Sequence, residues 1–249
     1  MTENVPSTYY ISKMRYPRQG GYRAFIEPLI KGADIRYGHE VIEVDAGAGR
    51  LRCTNGRRFS YRHLISTMPL PMLVRRTADC PDDVRTLADT LFATEVDLIS
   101  IAINKPKTLP RLWIYIYDRD LLASRAYAPD LKSPHNVPEG CSAVQFEIYA
   151  SRERPQRASV AEMTENCLMA LERMQLARRD EVRFTHHKRL PHANVVFDLG
   201  MEKRRDQVKQ WLQQQGIGLA GRFGEWAYLW SNQSMMSGIE AVEQMLTRK

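Results

Sequence analysis

Apolar positions change their period several times along this chain, and each change marks an element. Tyr22, Phe25, Ile26, Leu29 and Ile30 recur at helical spacing after Gly20-Gly21, with Pro28 as a disturbance and Gly32 as the stop. Residues before Tyr9 read as a loose tail. Val41 to Asp45, Arg50 to Thr54 and Arg57 to Ser60 read as strands, separated by Ala46-Gly47-Ala48-Gly49 and by Asn55-Gly56, a strong hairpin signal. Leu64 to Thr67 predicts another strand, and Pro69 with Pro71 a turn; Leu70 to Thr77 and Asp82 to Leu91 return to helical spacing.

Strands are then predicted over Val96 to Asn104, Leu112 to Tyr117, Ser124 to Ala128 and Ser142 to Ala150, with prolines crowding their connections. Within the second, Trp113, Tyr115 and Tyr117 alternate with Leu112, Ile114 and Ile116. With the aliphatics against helices, the aromatics either line a pocket or cover a second core layer. Ser159-Val160-Ala161-Glu162 is a capping box that opens a long helix with Val160, Met163, Cys167, Leu168, Leu171 and Met174 as its apolar stripe. Glu181 to Leu190 alternates as a strand, so His186 and His187 point to opposite faces and at most one serves any site. Pro191 to Asp198 is strand-like, and Glu202 to Gln215 is a helix with Val208, Trp211 and Leu212 inward. The final helix, Gln233 to Thr247, carries a stripe of Met236, Ile239, Val242, Met245 and Leu246 to pack.

Between the last two helices a short strand, Ile217 to Ala220, meets Gly221-Arg222-Phe223-Gly224, then aromatics, then Ser231-Asn232-Gln233-Ser234 at a helix start. A helix N-terminus presents unpaired N–H groups and a positive dipole end, the glycines allow close backbone approach, and Arg222 offers a fork of donors. The same order of parts also suits a plain strand-to-helix connection with Ser231 or Asn232 as the N-cap.

Composition narrows the partners. Lys and Arg number 36 against 29 Asp and Glu, a net charge of +7 that favours acidic ligands. The basic residues stand singly or in pairs such as Arg57-Arg58 and Arg204-Arg205, a solvated surface and not a nucleic-acid tract. Cys53, Cys80, Cys141 and Cys167 lie far apart, as reduced thiols in a cytoplasmic protein do, with no zinc or disulfide spacing. No apolar run reaches bilayer length and the N-terminus lacks a signal pattern, so neither a membrane nor export is expected. No nucleophile elbow, metalloprotease motif or Walker loop is present. The acid and base groups on offer are His135 in a proline-bounded loop, His39, Tyr115, Tyr117 and Glu225.

The stretch from Gly221 to Glu243 resembles the C-terminal flavin motif of the two-domain FAD enzymes that include UDP-galactopyranose mutase, protoporphyrinogen oxidase and the amine oxidases. Tyr16-Pro17-Arg18-Gln19-Gly20-Gly21-Tyr22 resembles that family's Tyr-Pro-x-x-Gly-Gly approach to a helix. His39 to Val44 resembles its strand beside the adenine, and Leu64 to Leu70 the strand and turn closing its β-meander. Ser133 to Gly140 resembles a loop of its mutase-like members, and the order is collinear throughout. The resemblance implies cofactor contacts at Gly221, Arg222, Asn232, Gln233 and Ser234, and a backbone contact to adenine at Val41, which is otherwise a core strand valine. Ala227 and Ser231-Asn232 stand where the mutases carry Lys and Met-Asp, so the scaffold is matched better than the mutase reaction. The family's opening strand–Gly-x-Gly-x-x-Gly–helix does not occur here. Gly216-Ile217-Gly218-Leu219-Ala220-Gly221 has the spacing, but it follows a helical segment and runs into a strand.

The expected fold is therefore α+β: a mixed β-sheet substrate-type domain with packed helices, plus the β-meander and C-terminal helix of a truncated FAD-binding domain. We expect a single compact unit over 1–249, with 9–70 and 190–249 as cofactor-domain elements and 71–189 as the substrate-type sheet. Three functions fit. One is a flavin-linked oxidoreductase or mutase-like enzyme on a sugar nucleotide or other biosynthetic intermediate, with a Rossmann-type partner chain or second protomer supplying the FAD pyrophosphate site. The second is a cofactor-free isomerase, cyclase or lyase reusing the substrate pocket. The third is a non-catalytic scaffold. All three imply a homodimer or a heteromer, because loss of a domain bares apolar surface.

Overall fold

In the computed structural model, which describes residues 15–247, the elements follow in the order α1 (Arg23–Ile30), β1 (Val41–Asp45), β2 (Arg50–Cys53), β3 (Arg58–Ser60), β4 (Leu64–Ser66), α2 (Leu70–Arg76), α3 (Asp82–Thr90), β5 (Glu95–Ile103), β6 (Trp113–Tyr115), β7 (Arg125–Tyr127), α4 (Pro129–Lys132), β8 (Ser142–Ala150), α5 (Val160–Arg173), β9 (Val182–Leu190), α6 (Met201–Gln214), β10 (Ile217–Leu219), α7 (Gly221–Gly224) and α8 (Ser231–Thr247). The fold is α+β, with three separate sheets. The tail expected before Tyr9 lies outside the described residues.

The chain divides into two compact units. The first takes in the described part of 1–34 with 97–149 and 157–189, and the second takes in 35–96, 150–156 and 190–249. The described residues up to 34 group with the large sheet, and 71–96 group with the meander.

In the first unit the sheet order is β6-β7-β8-β5-β9, with β6, β7 and β8 antiparallel. Alternation sends Ile99, Ile101 and Ile103 of β5, Ala126 of β7 and Val144, Phe146 and Ile148 of β8 into one core with Met163, Cys167 and Leu171 of α5. Each such fully buried large side chain contributes roughly 1.5–3 kcal/mol. Helix α5 starts where expected, with the Ser159 hydroxyl accepting from Glu162 N–H (3.2 Å) and the Glu162 carboxylate accepting from Ser159 N–H (2.7 Å). Helix α1 also forms, but none of its residues is buried.

In the second unit, turn chemistry sets a β1-β2-β3 antiparallel sheet. Asp45 Oδ1 accepts from Ala48 N–H (2.8 Å) in the first turn, and in the second Asn55 Oδ1 accepts from Arg57 N–H (3.1 Å) with Gly56 at φ +79. Strands β4 and β10 pair in parallel, Ile217 opposite Leu64 and Leu219 opposite Ser66. Their core holds Leu70, Leu73, Val74, Val208, Leu212, Ile217 and Trp226.

Two expectations for this unit are corrected. Pro191 to Asp198 makes only an isolated bridge, Val195 to Ala93, because Pro191 and its turn interrupt pairing. On α8 only Met245 of the predicted stripe is buried, beside Ala241, whereas Met236, Ile239, Val242 and Leu246 stay exposed.

Candidate functional site

The strand β10 delivers the chain into a turn whose geometry only particular residues allow. Ala220 N–H donates to Ser66 O (3.1 Å), continuing the pairing with β4, and Gly221 then takes φ +74, where a side chain is strained. Gly221 N–H donates to Ser237 Oγ (2.7 Å), and the Ser237 hydroxyl donates to Ser234 O (2.9 Å), tying the turn to the first turns of α8. Gly224 lies against β4 so closely that an added Cβ would stand 2.7 Å from Ser66 O. Trp226 is held at φ +51 with 1% exposure, its Nε1 lacking any hydrogen-bond partner among the described residues.

Arg222 is the polar centre of this turn. Its guanidinium stacks 4.6 Å from the centroid of the Tyr228 ring, and its Nε is buried with no hydrogen-bond partner among the described residues. A guanidinium stays protonated and has only donors, so a buried unpaired Nε–H is a donor in want of an acceptor. Glu225 is engaged differently, its carboxylate taking the Lys209 ammonium in a half-buried ion pair.

At the start of α8, Gln233 Oε1 accepts from Trp230 N–H (2.8 Å), the half of a capping box in which the third helical side chain reaches back to the cap. Trp230, not Ser231 or Asn232, therefore occupies the N-cap position. Asn232 and Gln233 line a cavity of about 490 Å³ with Lys209, Glu225, Gly218 and Met236, whereas Ser234 is not in its lining and accepts through its carbonyl from the Ser237 hydroxyl. Val41 lines a second cavity, about 260 Å³, with Leu64, Ser66, Thr67 and Met68, and its carbonyl accepts from Arg76 Nη1. His39 holds Tyr37 O at 2.8 Å from Nδ1 and sets its ring edge on Phe59. His192, which sequence reasoning passed over, packs edge-on to Phe223 of the turn, and burial pushes its imidazole below the usual value.

The first unit gathers a different set. Register places Tyr115, Arg125 and Glu147 in one cross-strand row and Trp113, Tyr127 and Gln145 in the next, all on the sheet face opposite the α5 core. Arg125 grips Glu147 with both arms of its fork (2.9 Å each), the Tyr149 hydroxyl donates to Glu147 Oε2 (2.6 Å), and Gln145 Nε2 donates to Ser100 Oγ (2.8 Å). Burial, with Tyr16 and Glu147 adding, pushes the Tyr127 phenol up. Burial, with Arg125 adding and Glu147 opposing, pushes the Lys132 amine down. Of the predicted groups, Tyr115 joins this row at its exposed rim, Tyr117 lies beyond β6 at 87% exposure, and His135 is exposed in the turn capped by Ser133. The aromatic alternation pointed to this face, but Arg125, Tyr127, Lys132, Glu147 and Tyr149 went unnoticed. The signal for Arg125, Tyr127, Glu147 and Tyr149 was polar residues at every second position of β7 and β8, whereas Lys132 lies on α4. His187, of the adjacent pair, bonds the buried Asp97 (2.7 Å), and His186 is exposed.

No group of His, Cys, Asp and Glu able to hold a metal occurs among the described residues. No described helix is long and apolar enough to cross a membrane.

The glycine-led turn after a parallel strand, the arginine and the closing helix define a class. Residues 2–246 match the family described as flavin containing amine oxidoreductase, and the chain belongs to that family. Among solved structures it is similar to reduced UDP-galactopyranose mutase, at TM-score 0.84 and 26% identity, over 93% of this chain and 52% of that one. It also shares the fold of a protein described as a protoporphyrinogen oxidase from Exiguobacterium sp. 255-15, at TM-score 0.68 and 18% identity, over 90% of this chain and 51% of that one. The chain thus spans about half the length of these relatives. Comparison with curated proteins finds no match.

Proposed function

We propose that these residues form the flavin-edge turn and the substrate-facing sheet of a flavin-linked oxidoreductase or mutase-like enzyme acting on a sugar nucleotide or a related biosynthetic intermediate. The observation that carries this is the buried Arg222 Nε, without a hydrogen-bond partner among the described residues, in a turn fixed by Gly221, Gly224 and Ser237. A donor held rigid and unpaired suits the electron-rich edge and polar chain of a flavin, and the start of α8 adds its dipole. Bound flavin would supply the electron-transfer chemistry. Arg222 would steady it, and the Arg125–Glu147 row with its phenols would hold polar groups of a substrate.

The pyrophosphate end is not met by these residues. Gly216 to Gly221 spans the end of α6, strand β10 and the start of α7, the reverse of the strand-to-helix order the fingerprint needs. A Rossmann-type α/β segment outside these residues would hold the pyrophosphate. The two-stranded parallel sheet and the outward apolar stripe of α8 support a covering segment of that kind, since parallel sheets are ordinarily covered on both faces.

The test is a visible titration of FAD with the purified chain, alongside light-scattering mass. A weak, saturable shift of the flavin band that disappears in Arg222→Ala but not in Lys203→Ala is expected. An unchanged flavin spectrum, or equal binding by Arg222→Ala, would refute the reading of the turn.

A further inference from the structure

One lysine in the first unit is held unlike the others. Lys105 and Lys209 meet Glu181 and Glu225, and Lys31, Lys107, Lys188 and Lys203 are exposed. Lys132 is half-buried and has no carboxylate at ion-pair distance among the described residues; its Nζ sits instead 4.6 Å from the Tyr127 ring centroid and 5.5 Å from that of Tyr16. The backbone beneath it is pinned. Asn136 Nδ2 donates to Pro129 O (2.9 Å), Asp130 Oδ1 accepts from Ala143 N–H (3.2 Å), and the Ser133 hydroxyl donates to Arg18 O. Helix α4 therefore presents the lysine from a fixed base.

We infer that Lys132 is a carbonyl-capturing amine, whose Nζ forms a Schiff base with a small aldehyde or ketone over the Tyr127 ring. An amine beside aromatic surface and near another cation is the arrangement that activates lysine as a nucleophile. Two influences oppose each other at Nζ. The ring faces favour the ammonium, whereas burial and the neighbouring Arg125 favour the free amine, and the net direction is toward the free amine. Burial pushes the Tyr127 phenol up, so the ring beneath Nζ keeps a proton to give. In the reaction the nitrogen lone pair attacks the carbonyl carbon and the C=O pair takes up a proton. One amine hydrogen restores the proton given by the phenol and the other joins the hydroxyl as it leaves as water, so amine plus carbonyl gives imine plus water with no change of oxidation state.

The experiment is reductive alkylation of the whole chain by propanal and cyanoborohydride between pH 6 and 9, with adducts located by peptide mass spectrometry. Lys132 should be modified several-fold faster at pH 7 than Lys31, Lys107 and Lys203, because burial favours its free amine. Tyr127→Phe, which keeps the ring, should slow this site alone, and Lys132→Arg should abolish its adduct while the exposed lysines react as before. Modification of Lys132 no faster than the exposed lysines at every pH would overturn the inference, and the wild-type chain decides that even if a variant does not fold. No flavin is added, so this outcome is independent of the flavin reading.

Discussion

Gly224→Ala tests the turn most directly. The new Cβ would stand 2.7 Å from Ser66 O and 3.3 Å from Thr67 Cα, both backbone atoms, so no side chain can swing aside to relieve the overlap. Ser66 O is also the acceptor of Ala220 N–H, so moving β4 away weakens its pairing with β10. Overpacking of this kind costs about 1–3 kcal/mol. Against it, replacing glycine recovers roughly 0.4–1 kcal/mol of unfolded-chain entropy. The difference is a net loss of about 0–2.6 kcal/mol, centred on about 1.3 kcal/mol, or a Tm lowered by about 3–5 °C at that centre for a chain of this size. Gly238→Ala is the control, because nothing lies within 4 Å of its added Cβ in α8, and it should stabilise by about 0.5–1 kcal/mol. Thermal unfolding by circular dichroism reads both. If Gly224→Ala melts at or above the wild-type temperature, the close approach of the turn to β4 is wrong, and with it the rigid setting of Arg222.

Other perturbations probe the rest of the chain. Phe146→Ala, which empties a fully buried ring from the sheet core, should cost about 3–5 kcal/mol in urea unfolding, and a loss under 1 kcal/mol would contradict that packing. Burial pushes the Cys167 thiol up to about 12. Its contribution to stability is therefore full below the ordinary thiol value and declines by about 1.4 kcal/mol per pH unit from pH 9 toward 12. Urea midpoints at pH 8 and pH 10 should show that slope in the wild type and not in Cys167→Ala. Ile239→Glu with Val242→Glu places charge on the exposed stripe of α8; the melting temperature should hold, and any oligomer seen by light scattering should dissociate if this face is covered in it.

Much of the fold is written locally. Asn55-Gly56 makes its hairpin and Ser159 with Glu162 caps its helix, because each needs only residues within one turn of each other. The alternation of Trp113 and Tyr115 with Ile114, and the inward Val208 and Leu212, also appear as read, since a period assigns residues to one face. The collinear glycine, arginine and proline motifs carried the family for the same reason.

Tertiary structure decided what a period leaves open. A stripe on α8 says which residues share a face, but only packing shows that four of the five predicted positions stay exposed among the described residues. Glu225 was taken up by Lys209, a partner on α6 that the surrounding sequence does not announce. The row of Tyr115, Arg125 and Glu147, with Lys132 over Tyr127, depends on the register of three strands and the placing of a four-residue helix. Register is set by pairing between distant segments, so chemistry assembled across strands emerges only when the sheet closes.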